Sequence, residues 1–196
     1  MSELITFTKK LLLIRISSDV KDNSLLSLYN FVQHFGISVI HRDVTTKQDL
    51  EDALNIDTFD YLYFAGHGDE TCFTDNKLLN LSWTEIGELI CKTKCLNNNA
   101  IVMLYCCKGG LSPVVFELIA TCPSIQYVCG AKQDVSGLDL TTGFIVFLYN
   151  VEHRNIDPTI SANKATEATD IRFQCFNRVD VEFNPMYFHN YCKSCN

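Results

Sequence analysis

Two reactive side chains stand in unusual settings. His67 lies between Gly66 and Gly68, directly after the apolar run FDYLYFA at 59–65. Cys107 follows a second apolar run, AIVMLY at 100–105, and precedes Lys108, Gly109 and Gly110. A thiol with an imidazole in reach is the minimum for a sulfur nucleophile. The imidazole takes the thiol proton or pairs with the thiolate, then protonates a leaving group. Cys107 also stands just before a helix expected to open at Ser112, and a helix N-terminus favours a thiolate. Gly66 and Gly68 leave room for a substrate backbone, and Gly109 and Gly110 permit a sharp turn. The backbone N–H groups of Gly68 and Cys107 are candidates for an oxyanion hole. A single strand-end His is usually a satisfied polar residue, and a single strand Cys is usually packing. A His flanked by two Gly and a Cys followed by two Gly, each closing a strong apolar strand, together point to chemistry.

The elements that must position them alternate along the chain. LLLIRI at 11–16 reads as a buried strand. Leu25, Leu28, Tyr29, Val32 and Phe35 have helical spacing, and Gly36 is placed to end that helix. Ile37 to Val44 is a second strand. Thr45 with Gln48 resembles a capping box before a short helix through Leu50, Ala53 and Leu54. Residues 59–65 form the third strand, and 69–81 show no period, as a loop or small hairpin would. Ser82 with Glu85 is a capping box for a helix to about Lys94. Residues 100–105 form the fourth strand, after which Ser112 is read as N-cap with Pro113 at the first helical position. A fifth strand covers 125–130. A helix through Phe144, Phe147, Leu148 and Val151 and a second over Asp157 to Asp170 follow. IRFQCF from Ile171 looks like a strand, and the tail from Asn184 has no pattern. Strands alternating with helices predict an α/β fold, a mostly parallel central sheet covered on both faces. Ligands of such sheets bind outside the carboxyl ends of the strands, where His67 and Cys107 fall. If those two strands are neighbours, they lie about 4.8 Å apart.

Composition narrows the function classes. The 196 residues suit one domain over 1–196, with the tail from about 184 loosely ordered. With 47% hydrophobic and 20% charged residues, a disordered or low-complexity chain is excluded. No apolar run approaches the roughly 20 residues of a membrane span. The net charge is −7 and no basic stripe exists, so nucleic acid is not an expected partner. The short, Arg15-broken apolar stretch near Met1 is not a signal peptide, so a cytoplasmic location is expected. The 10 cysteines are then read as reduced, mostly as small buried hydrophobes. No GxGxxG or P-loop exists, which leaves nucleotide binding and cofactors unsupported. A receiver-type domain wants an Asp where this chain has His67.

An apolar strand ending in His-Gly, then one ending in Cys followed closely by Gly, resembles the caspase-like cysteine peptidases. That group includes caspases, metacaspases, separase, gingipains and CHAT domains. The separation of 40 positions from His67 to Cys107 suits it, and the likeness covers about 10–155. YCCKGG at 105–110 resembles the CHAT pattern of small residue, Cys, any, small, Gly. GAKQDV at 130–135 and the Thr142-to-Tyr149 helix resemble CHAT segments too. The resemblance implies a three-layer α/β/α fold, Cys107 as nucleophile and His67 as general base and acid. Cys106 competes for the first role, but a strand's period of two turns it to the opposite side. A protein substrate, and a separate activating sensor in a signalling or defence pathway, are further implications.

The chain departs from caspases proper. Lys108 replaces the Arg after the nucleophile, and Ser17-Ser18-Asp19 stands where caspases supply an Arg for an acidic substrate residue. Asp19 and Asp134 would instead suit a Lys or Arg side chain; the plainer reading is two solvated loop acids. His189, Cys192 and Cys195 with Cys91 and Cys95 offer half of a zinc pattern at most, and no metal is expected. The alternative to an enzyme is a catalytically silent interaction module of the same fold.

Overall fold

A computed structural model describes residues 8–182. Strands β1 (Lys9–Arg15), β2 (Ile37–Asp43) and β3 (Phe59–Ala65) alternate with helices α1 (Asp22–Gln33) and α2 (Lys47–Leu54). Three short strands follow, β4 (His67–Gly68), β5 (Cys72–Thr74) and β6 (Asn80–Ser82), then α3 (Trp83–Thr93). The remainder is β7 (Leu96–Tyr105), α4 (Ser112–Thr121), β8 (Tyr127–Ala131), α5 (Gly137–Leu148), α6 (Pro158–Thr169), β9 (Phe173–Asn177) and α7 (Arg178–Glu182). A π turn over Tyr149–His153 prolongs α5.

The main sheet has the order β2-β1-β3-β7-β8-β9, parallel except for the antiparallel edge strand β9. Period-two alternation divides the core cleanly. Leu12, Ile14, Leu62, Phe64, Val102, Leu104 and Cys106 face one layer, with residues of α2, α3 and α4. Leu11, Leu13, Tyr61, Tyr63, Ile101, Met103 and Tyr105 face the other, with residues of α1, α5 and α6. Helices on both faces satisfy strands that are apolar on both sides.

Helix starts follow local chemistry, with small displacements from the sequence reading. The capping box before α2 is Thr46 with Asp49, one residue beyond the predicted pair. Asp49 Oδ2 also accepts from the Thr45 hydroxyl and amide, so Thr45 takes part without being the cap. Ser82 and Glu85 do form a capping box. The N-cap of α4 is Leu111, and Ser112 and Pro113 lie inside the first turn. Gly36 has φ 68°, the left-handed conformation expected after α1. Residues 69–81, where no period is visible, hold β5 and most of β6 of the second sheet, β4-β5-β6, which spans 67–82. His189, Cys192 and Cys195 lie outside the described residues. Among the described residues no three His, Cys, Asp or Glu side chains are grouped to hold a metal ion.

Candidate active site

The central strands end in register. Ala65 pairs with Arg15 on one side and Tyr105 on the other. The Gly66 N–H donates to the Tyr105 carbonyl at 3.1 Å, and the Ile16 N–H to the Ala65 carbonyl at 3.0 Å. His67 and Cys107 each come two residues beyond that shared level, after the ends of adjacent strands. Both line one cleft of about 490 Å³ at the carboxyl end of the sheet. Its walls are Asp19, Val20 and Lys21 from the β1–α1 loop, Ser24 of α1, and Val135 to Leu138 ahead of and within α5.

The two adjacent cysteines differ as strand geometry demands. Cys106 is 1% exposed and packs in the core layer of α3 and α4. Burial holds its thiol far above the ordinary range, in the protonated form. Cys107 is half-buried and sits in the turn after β7, with its thiol donating to the Val135 carbonyl at 3.7 Å. Its backbone N–H meets no acceptor among the described residues. Lys108, the next residue, takes the left-handed conformation at φ 58°, which bends the chain sharply away. Its N–H donates to the Gln133 carbonyl and its ammonium pairs with Glu70 at 3.4 Å, so the turn is tied on both sides.

Gly68 has two local requirements. A Cβ there would stand 2.9 Å from the Cys106 Sγ, a distance only hydrogen tolerates. Its N–H direction follows from hairpin alternation. Asp69 N–H bonds to the Cys72 carbonyl at 3.1 Å, so Gly68 and Phe73 form the following non-bonded pair. The Gly68 N–H therefore points off the free edge of β4, away from β5. The hairpin is itself held by the Asp69 carboxylate, which accepts from the Thr71 hydroxyl and from the Thr71 and Cys72 amides. Those bonds, the Thr71 hydroxyl first, hold the Asp69 carboxyl below its usual range. Trp83 Nε1 donates to the Asp69 carbonyl at 3.0 Å and completes the brace.

His67 Nε2 lies 3.3 Å from Asp19 Oδ2. Of the two acids singled out in the sequence, Asp19 thus meets the imidazole directly and lines the cleft. Asp134 does not line it. It lies close to Lys108 and, after Glu70, helps raise that ammonium's pKa. Arg15 secures the floor of the β1–α1 loop, donating to Asp43 at 2.5 Å and to Asp22. Three contributors escaped the sequence reading: the Val135 carbonyl, Tyr105, and the exposed Leu138 at the start of α5. Ser136, which caps α5 through the Asp139 N–H, was the available signal, since Ser followed three residues later by Asp marks a helix start.

No family model matches the sequence, and no curated protein matches it. Among solved structures the fold is similar to an inactive zymogen C11 protease from Parabacteroides distasonis. The TM-score is 0.62 at 9% sequence identity, covering 91% of this chain and 64% of that one. This chain therefore spans less than two thirds of that protein's length. The six-stranded, mostly parallel sheet between two helical layers is a three-layer α/β/α arrangement consistent with a caspase-like fold. No helix among the described residues is long and apolar enough to cross a membrane.

Proposed function

We propose that this chain is a cysteine endopeptidase that uses Cys107 and His67. The observation that carries this reading is the shared cleft: a half-buried thiol and an imidazole that follow the paired ends of two adjacent parallel strands and line one cavity. The Cys107 Sγ attacks the scissile carbonyl and its proton passes to His67. The amide N–H groups of Gly68 and Cys107, neither committed to the sheet, hold the oxyanion. His67 gives the proton to the leaving amine, and water then hydrolyses the thioester with His67 as base. In this resting geometry Cys107 bonds to Val135 and His67 to Asp19, and such contacts rearrange when a substrate binds.

Within the caspase-like group the YCCKGG segment supports a CHAT-type member. A protein substrate presenting a Lys or Arg side chain suits the negative charge around the cleft, to which Asp19 contributes from its wall and Asp134 from outside it. Activation by a separate sensor protein, in a reducing cytoplasmic setting and a signalling or defence role, completes the proposal.

Incubating the purified chain with a peptide library, with and without candidate activators, tests the reading. Cleavage after basic residues is expected, lost by about 10⁴-fold or more in Cys107→Ala and in His67→Ala. Undiminished cleavage by Cys107→Ala would overturn it. A chain with no cleavage under any condition, and no reactive thiol, is the silent interaction module instead.

A further inference from the structure

We propose that Asp19 is a positioning residue for His67, fixing which imidazole nitrogen serves the thiol. The inference rests on the peptidase reading above and assigns Asp19 a role other than substrate contact. Asp19 Oδ2 is 3.3 Å from His67 Nε2. A carboxylate there accepts a proton-bearing nitrogen, so Nε2 carries the hydrogen and Nδ1 is left bare. Nδ1 has no partner among the described residues, and Cys107 lines the same cleft.

The carboxylate is delivered by a fastened turn. The Asp19 N–H donates to the Ser17 Oγ at 3.3 Å, and Ser17 is only 2% exposed. The Val20 N–H donates to the Ser17 carbonyl at 3.2 Å, closing the turn. Lys77, in the β5–β6 hairpin, donates to the Ser18 Oγ at 3.2 Å from the other side. The loop root is held to β3, the strand that leads into His67, through Ile16 and Ala65. Carboxylate and imidazole are thus set by neighbouring strands of one sheet, before any substrate arrives.

The proton path follows. The thiol proton moves from the Cys107 Sγ to Nδ1 as sulfur bonds to the carbonyl carbon. The Nε2 hydrogen stays on Asp19's bond, and the carboxylate balances the imidazolium. Nδ1 then protonates the leaving amine as the C–N bond breaks, and neutral imidazole returns. Asp19 touches no reacting atom. It acts through His67 by holding one tautomer and one ring orientation.

Asp19→Asn and Asp19→Glu in the full chain test this, with thermal melting to confirm folding, which an exposed carboxylate should not disturb. The first readout is alkylation of Cys107 by iodoacetamide, a neutral reagent with no side chain for a specificity pocket to grip. The expected result is a loss of about 10- to 100-fold in Asp19→Asn, below the 10⁴ of a buried triad because this pair is water-exposed. His67→Ala should be at least as slow, the double variant no slower than His67→Ala, and Asp19→Glu partly restored. The second readout compares peptide substrates with Arg or norleucine before the scissile bond. Positioning lowers kcat on both by the same factor and leaves KM nearly unchanged. Alkylation at the wild-type rate in Asp19→Asn, with loss confined to the Arg substrate, would show a substrate contact and overturn the inference while leaving the peptidase reading intact. A wild-type Cys107 that alkylates no faster than the half-buried Cys72 and Cys91 would remove both readings together.

Discussion

Cys106 and Cys107 are chemically identical and adjacent, yet their surroundings give them opposite uses. The strand period sends the Cys106 side chain into an apolar layer, where losing a proton means placing charge among Leu104, Val115 and Phe73. Cys107 stands past the last strand residue, where the chain leaves the sheet and water can reach it. Cys106→Ala should therefore cost about 1–2 kcal/mol of stability, as a small core truncation does, and keep peptide cleavage within a fewfold of wild type. Denaturant unfolding beside a cleavage assay measures both; loss of cleavage in a folded Cys106→Ala would transfer the nucleophile to Cys106. The placement of His67 and Cys107 after the ends of β3 and β7 was legible because apolar strands followed by Gly mark it locally; the roles proposed for them rest on the cleft they share. The Asp19–His67 contact was not, because it joins residues 48 positions apart whose meeting depends on the β1–β3 pairing.

At the scale of elements, the site depends on how tightly β8 approaches the turn that follows Cys107. The Gly110 N–H donates to the Ala131 carbonyl at 2.8 Å, and a Cβ on Gly110 would fall 2.2 Å from the Gly130 carbonyl oxygen. Both clashing partners are backbone, so no side-chain rotation relieves the overlap. Gly110→Ala should cost about 3 kcal/mol or more and slow Cys107 chemistry in whatever fraction folds. An unchanged melting temperature would mean the two backbones are less closely packed than described. Strong elements were legible: β3 runs over the residues predicted for it, and the Ser82–Glu85 box opens α3 as read. The small β4-β5-β6 sheet was not legible. Its strands are two or three residues long, too short for alternation to register, and they are held by Asp69 and by Asp75, which caps the following turn through three amides. The α4 cap moved from Ser112 to Leu111 because the chain turns through Lys108 and closes a Leu111-to-Lys108 backbone bond first.

For the whole molecule, folding changes the proton affinity of groups on both sides of neutrality. Arg15 beside Asp43 holds that carboxyl below its ordinary value, and Lys47 with the Ser82 cap does the same for Glu85. A carboxyl depressed by folding adds stability above its unfolded pKa of about 4, and that contribution is lost as pH falls through the folded value. The buried thiols work in the other direction. Burial pushes Cys95 up to about 11 from an ordinary 9, and raises Cys106 further. The unfolded chain then releases protons that the folded chain retains, so stability falls as pH rises above about 9. The denaturant midpoint should be broad and flat between about pH 5 and 8, dropping on both sides. Asp43→Asn should soften the acid limb, and Cys95→Ala the alkaline one. A midpoint that rises from pH 8 to 10 would contradict the burial of these thiols. The overall α/β architecture was readable from strand–helix alternation, since apolar strands need cover on both faces. The antiparallel direction of β9 was not, because a strand's sequence pattern is the same in either direction.

The most direct test of the central claim is covalent labelling with a peptide acyloxymethyl ketone carrying Lys at the position before the electrophile, at neutral pH, followed by intact mass and peptide mapping. One adduct per chain, on Cys107 among 10 cysteines and abolished by His67→Ala, is the predicted result. Slow modification spread over several cysteines, unchanged by His67→Ala and by added activators, would contradict it.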